Sequence, residues 1–284
     1  MVGTAGKYAV PVLGAVLAVS LSACGGGDGG KGADGKKDAK SAASSAPKSA
    51  DRRDAKAVIS AAAKKTSQVT AFKTVRTTKN PQDDKRSEQA WRKKPAPLTA
   101  VRATDNKPGT PGKETYSIVT GGFVYTKTDQ VPATGKSWFK IETKAGTDPN
   151  RVEGLLPDYL GALGATSATK WVGDEAVGGH PADHYQATVV MADLAKYDGP
   201  AMDDVSRDGY VADAKQAGKT QVVLDVWVGK DDLVLKSQES GKGKQGDEVV
   251  TEEYSDYGVD PKVEAPPASA VLTWDEYMAA LSKG

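Results

Sequence analysis

Gln221-Val222-Val223-Leu224-Asp225-Val226-Trp227-Val228 is the stretch whose reading decides the fold. Val222, Leu224, Val226 and Val228 alternate with Val223, Asp225 and Trp227, the period of two that marks a strand with one face in a core. Leu233–Ser240 and Glu248–Tyr257 then read as antiparallel returns. Toward the amino terminus, Lys170–Gly173 and Tyr185–Val190 read as further strands. Before them, Leu155, Leu156, Tyr159, Leu160 and Leu163 form one apolar stripe at helical spacing, with Pro157 marking a start or a break.

The remaining elements follow the same logic. Asp54 can cap a helix that carries Val58, Ile59, Ala62 and Thr66 on one side. Phe72–Thr78, Ser87–Trp91 and Leu98–Thr104 are short strands separated by Pro-containing turns. Gly121-Gly122, between Tyr116–Val119 and Phe123–Tyr125, supplies the positive φ angles that a tight hairpin needs. Trp138–Glu142 closes this meander. Asp203–Ala217 reads as a polar helix closed by Gly218, and Thr273 with Glu276 makes a capping box for a last helix. About ten short strands and a few helices define an α+β class with a mainly antiparallel, strongly bent sheet.

Cys24 is the only cysteine in the 284 residues, and it follows Leu21-Ser22-Ala23 at the end of an apolar run that starts near Tyr8. Lys7, the apolar stretch and small residues before the cut describe a secretory signal over residues 1–23. Leu-Ser-Ala-Cys resembles a bacterial lipobox, which implies a diacylglycerol on the thiol, with acyl groups such as palmitate, and a new amino terminus at Cys24. Two or more chains anchor stably where one is marginal. The expected location is the cell membrane, lipid-anchored on the extracytoplasmic face.

From Gly25 to Asp54 there is no Val, Ile, Leu or aromatic residue, so residues 24–54 read as a lipidated Cys with a disordered linker. Residues 25–56 carry eight Lys/Arg against five Asp/Glu, whereas residues 57–284 are acidic on balance. A basic linker suits anionic head groups, and it equally serves as a plain solubilising spacer. Residues 55–284 then make one domain, expected as a monomer. With no second cysteine, its stability rests on an apolar core rather than on internal disulfides. A net charge of +1 and export both argue against nucleic acid as a partner.

Catalysis and cofactors find little support. His180 and His184 are the only histidines. Gly178, Gly179 and Pro181 place them in a turn, so they read as solvated or hydrogen-bonded rather than as a metal site. No Gly-x-Ser-x-Gly elbow or Ser-x-x-Lys context accompanies them. Glu175, Glu252 and Glu253 read as solvated. The chain is therefore expected not to be an enzyme, and no cofactor is called for.

Trp171-Val172-Gly173-Asp174-Glu175-Ala176-Val177-Gly178-Gly179-His180-Pro181, running on to His184-Tyr185, resembles a recurring segment of actinobacterial lipoproteins. Leu224-Asp225-Val226-Trp227-Val228 before Leu233 does so as well, although Asp231-Asp232 stands where a glycine is usual. Those proteins are similar to the LolA-like group, with its LppX and LprA/LprF/LprG types. The resemblance spans roughly Ala57 to Tyr257. It implies an antiparallel half-barrel sheet closed by helices, around an apolar cavity for acyl chains of a lipid or lipoglycan. Leu155, Leu156, Tyr159, Leu160, Val222, Leu224 and Val226 are the candidates for its lining. Read by periodicity alone, the same residues are ordinary core. The rival expectation is a tethered module that binds a protein or cell-wall partner by its surface, with no ligand cavity.

Overall fold

The computed structural model describes residues 53–107, 109, 112–130, 134–143 and 156–282. Cys24, the linker up to residue 52 and Leu155 lie outside the described residues. Contacts gather residues 51–284 into one compact unit.

Helix α1 (Ala55–Gln68) begins where the sequence predicts, with the Asp54 side chain accepting a hydrogen bond from the Ala57 backbone N–H at 3.1 Å. It buries Val58, Ile59 and Ala62. The strands β1 (Ala71–Lys79), β2 (Asp84–Arg92), β3 (Leu98–Asp105), β4 (Lys113–Thr120), β5 (Phe123–Lys127) and β6 (Trp138–Glu142) follow as an antiparallel meander. Gly121 and Gly122, at φ +59° and +80°, make the two-residue turn between β4 and β5.

Helix α2 (Leu156–Ala165) comes next, with Pro157 in its first turn, where a missing N–H is harmless. Strands β7 (Lys170–Val177) and β8 (His180–Val190) lead into helix α3 (Met191–Leu194) and helix α4 (Asp204–Ala217). Strands β9 (Gln221–Gly229), β10 (Val234–Gly243) and β11 (Gly246–Ser255) then form the second meander. A three-residue strand β12 (Val271–Thr273) precedes helix α5 (Trp274–Leu281), whose Thr273–Glu276 capping box is present as read.

The twelve strands form one open sheet in the order β12-β6-β5-β4-β3-β2-β1-β11-β10-β9-β8-β7. Every pairing is antiparallel except β12 on β6. The α+β reading with a mainly antiparallel sheet therefore holds. Two local readings need correction. His180 and His184 are not in a turn: Gly178 and Gly179 alone turn the chain, and both histidines belong to β8. Strand β12 carries no readable signal, because three residues are too few to show a period.

Register and alternation sort the side chains onto two faces. Phe72, Trp91, Thr99, Val119, Val124 and Ile141 stand directly opposite one another across β1 to β6. Phe72 and Trp91 belong to the main core with Val222, Leu224, Val226 and the buried residues of α1, α2 and α4. This is the inner face. Helices cover it at its β1 and β7–β11 end, and α5 covers its far edge through Leu272, Tyr277 and Phe139. On the outer face of the first meander, Leu98, Ala100 and Ile118 pack with Val263, which lies between β11 and β12. Arg92, 3.1 Å from Asp260, ties the same segment down.

Candidate functional site

Between the two helical ends, the inner face of β3–β5 carries apolar side chains that join no core cluster of described residues, whereas Trp91 of β2 and Thr99 of β3 at its edge are buried. Val101, Ala103, Val119 and Val124 are half-buried there, Ile141 is 41% exposed, and none of them joins a core cluster of described residues. Interspersed are Ser87, Gln89, Ser117 and Thr126, small or flexible polar groups; the hydroxyls of Ser117 and Thr126 lie 3.2 Å apart across the strands. Polarity rises along the strands. One row across the sheet is Trp91, Thr99, Val119, Val124 and Ile141; the next is Gln89, Val101, Ser117 and Thr126; the third is Arg76, Ser87 and Ala103. The first row of this floor is partly open only on β4–β6, at Val119, Val124 and Ile141; Trp91 and Thr99 are 4% and 2% exposed.

A buried polar seam borders this floor. Glu252 is 2% exposed, accepts from the Tyr254 hydroxyl at 2.5 Å, and stands opposite Arg76 at 3.6 Å. The Tyr254 hydroxyl also bonds Ser237. Farther along, Lys219 donates to Glu239 at 2.7 Å and to Glu248 at 2.6 Å, while the Tyr210 hydroxyl donates to Glu239. Burial alone would lower the Lys219 ammonium, but its two carboxylate partners outweigh that and hold it above the ordinary lysine range. Burial likewise pushes Glu248 up, and its bonds from Lys219 and Asn80 more than reverse this. Tyr159 is pushed well above the usual phenol range by burial, then by the nearby charge of Glu239. The hydroxyls of Tyr159 and Thr74 are buried without a hydrogen-bond partner among the described residues.

Six of the seven lining candidates are described, and the structure brings them together. Leu156, Tyr159 and Leu160 on α2 meet Val222, Leu224 and Val226 on β9, each at 2% exposure or less. They belong to the main core. Cavities of about 700 Å³ beside Val75, Val177, Leu235 and Tyr257, and of about 430 Å³ beside Lys219 and Lys244, are lined by other residues. The Val101–Ile141 floor was missed because its mixed Ser/Thr/Val pattern looks like any half-buried sheet. Glu252, read as solvated, is buried; its partner Arg76 is distant in sequence, so no local pattern announces the pair.

The histidine constellation is a clamp between strands. The ring nitrogens of His184 face Glu175 at 2.9 Å and Asp225 at 2.7 Å, and Gln186 also donates to Asp225. The indole N–H of Trp227 donates to Glu175 at 2.8 Å; that bond foremost, with His184 adding to it, holds the Glu175 carboxyl below its ordinary range. With both nitrogens engaged by carboxylates, His184 has no free nitrogen to activate a hydroxyl. His180 is exposed. Among the described residues no group of three or more His, Cys, Asp or Glu could hold a metal ion, and no helix is long and apolar enough to cross a membrane.

The comparisons with known proteins fit this geometry at the level of fold. No family model matches the chain. Over 154 residues it is 32% identical to a Streptomyces griseus protein named "Uncharacterized 31.2 kDa protein in rplA-rplJ intergenic region", covering 51% of this chain and 50% of that one. Over 63 residues it is 38% identical to the Streptomyces coelicolor "Putative lipoprotein SCO4650", covering 22% of each. The chain thus spans half the length, or less, of these curated relatives. Among solved structures, LprF from Mycobacterium bovis aligns with a TM-score of 0.53 at 15% identity, covering 75% of this chain and 97% of that one. Mycobacterium tuberculosis lipoprotein LppX aligns at 0.50 and 13%, covering 74% and 98%. The fold is that of these LolA-like lipoproteins, as the Trp171 and Leu224 segments implied.

Proposed function

We propose that this chain is an extracytoplasmic lipoprotein, anchored through Cys24, that binds or carries a lipid or acylated amphiphile without catalysis. The observation that carries the reading is the inner floor of β3–β5, where Val101, Val119 and Val124 are half-buried outside the core clusters of described residues. Each CH₂ moved from water onto such a surface contributes about 0.8 kcal/mol, so one acyl chain suffices for measurable binding. The likeness to LprF and LppX supports the reading, as does a relative named as a lipoprotein. The six buried candidates serve in this account as the packed wall behind the floor. Native mass spectrometry of the full chain from a lipid-containing host tests it: a bound amphiphile supports the proposal, and consistent absence contradicts it. For the anchor, Cys24→Ala should move the protein from the membrane fraction to the medium; unchanged membrane retention would refute lipidation there.

One observation favours a second reading, a tethered module that binds a protein or cell-wall partner. The six described candidates on α2 and β9 are at most 2% exposed, and the cavity of about 700 Å³ beside Val75 and Glu253 is lined by none of them. Under that reading Leu235→Arg, at this cavity, abolishes partner capture while amphiphile binding is absent in both forms.

A further inference from the structure

The cavity of about 700 Å³ lies on the other side of the sheet from the inner floor. Its Val75 is three positions along β1 from Phe72, so it stands on the opposite face, directly across from Glu253 of β11. The end of β7 and the turn after β9 close it through Val177, Asp231 and Leu233. Val75, Val177, Leu233 and Leu235 are half-buried, and none of them joins a core cluster of described residues. A concavity of this size, with apolar walls and a few polar groups, has the form of a ligand pocket.

Its rim is acidic. Asp231, Glu253 and Asp256 are exposed there, and Lys230 is the one Lys or Arg of the lining. Asp256 pairs with Lys73 at 2.8 Å. Glu253 has no hydrogen bond or ion pair among the described residues, because Lys236, its cross-strand neighbour, lies over the Trp227 ring instead. Asp231 accepts only a long bond from the Leu233 N–H, at 3.4 Å. Tyr257, also in the lining, is held by donating its hydroxyl to the Val234 carbonyl at 2.6 Å. Burial pushes this phenol up, and the charge of Asp231 adds to it, which sets that carboxylate near the tyrosine. An aromatic ring beside carboxylates suits a cation. The next residue of the same turn already shows that chemistry: Asp232 holds the Arg53 guanidinium at 2.7 Å.

We propose that this cavity docks an extended peptide segment of a partner protein that carries an arginine or lysine between apolar residues. The cation sits on Asp231 and Glu253 beside Tyr257, and the apolar side chains lie against Val75 and Leu235. The assignment rests on the tethered-module reading and deepens it by giving the partner a chemistry. Three carboxylates disfavour an anionic amphiphile here, so this site is separate from acyl binding on the inner floor. A neutral glycan would gain little from Glu253 and would set hydroxyls against apolar walls.

Fluorescence anisotropy on the full chain tests the proposal. The probe is a labelled peptide, Ala-Leu-Arg-Leu-Ala, and its twin carries citrulline, which keeps the shape and removes the charge. The arginine peptide should bind about tenfold more tightly, the worth of one charge-assisted hydrogen bond. Asp231→Asn combined with Glu253→Gln should bring that ratio toward one. Leu235→Arg should weaken both peptides together. Equal affinity of the native chain for the two peptides, or a ratio unmoved by the double variant, overturns the cation assignment and leaves a surface-binding module in place. Full binding by Leu235→Arg overturns the location; if that variant does not fold, Val177→Arg gives the same test. Displacement of the peptide by N,N′-diacetylchitobiose makes this a glycan site, and self-association that blocks the probe gives it to a second copy; either overturns the peptide. Failure of both peptides at millimolar concentration overturns the proposal and removes this cavity from the tethered-module reading.

Discussion

His184 lies flat on Trp227, with ring centroids 4.2 Å apart and planes 15° from parallel. Lys236 sits over the same indole, 4.3 Å from its centroid. The stack fixes the imidazole so that its two nitrogens reach Glu175 on β7 and Asp225 on β9. His184→Phe keeps the stack and removes both ring nitrogens. Asp225, 4% exposed, then retains a bond from Gln186 but loses its partner at 2.7 Å, and leaving a buried polar group short of a partner costs about 1 to 3 kcal/mol. Urea denaturation should show that loss, and adding Asp225→Leu should recover much of it. Unchanged stability in His184→Phe would mean the clamp holds nothing.

The seam around Lys219 gives stability a defined pH window. Lys219 is raised in the folded chain, so its contribution is full below the unfolded lysine value of about 10.4 and fades as pH rises through the higher folded value. Glu248 is lowered, so its contribution is present above about 4.3 and fades as pH falls through the lower folded value. Thermal melts across pH should therefore show a plateau bounded on both sides. Glu248→Gln should flatten the acid limb and Lys219→Met the alkaline one. Limbs unaltered by these changes would place the titrating groups elsewhere.

Leu160 and Leu224 separate core from ligand surface. Leu160→Ala should cost between about 2 and 5 kcal/mol through the cavity it leaves, and Leu224→Trp between about 1 and 3 through overpacking. Leu160 and Leu224 belong to the main core, which Val101, Val119 and Val124 do not join, so amphiphile affinity measured on the folded fraction should stay within about twofold, the scatter left by mutations that do not touch a contact. A tenfold loss in either variant would return these residues to the lining that the family resemblance implied.

Much of this fold is legible in the sequence wherever a period runs long enough. The alternation of Val222 to Val228, the Gly121-Gly122 hairpin and the Thr273–Glu276 box all report local physics, and each element stands where it was read. Strand β12 and the early start of β8 escape for the opposite reason. Three residues carry no period, and Pro181 next to a Gly-Gly turn reads as more turn. The candidate site is harder. Val101, Val119 and Val124 differ from Leu98, Ala100 and Ile118 only in which face they point to. Which face is covered depends on distant partners: Val263 outside, and the helices inside. Arg76 and Glu252 meet only once β1 pairs with β11.

The location of a bound acyl chain is the central claim, and photo-crosslinking reads it most directly. A palmitate analogue carrying a diazirine near its chain end is bound to the full chain, irradiated, and mapped by peptide mass spectrometry. The account predicts labels on β3 to β5, within Leu98–Lys127 and centred on Val119 and Val124. Labels confined to α2 and β9, or to the outer cavity beside Val75 and Leu235, would contradict it.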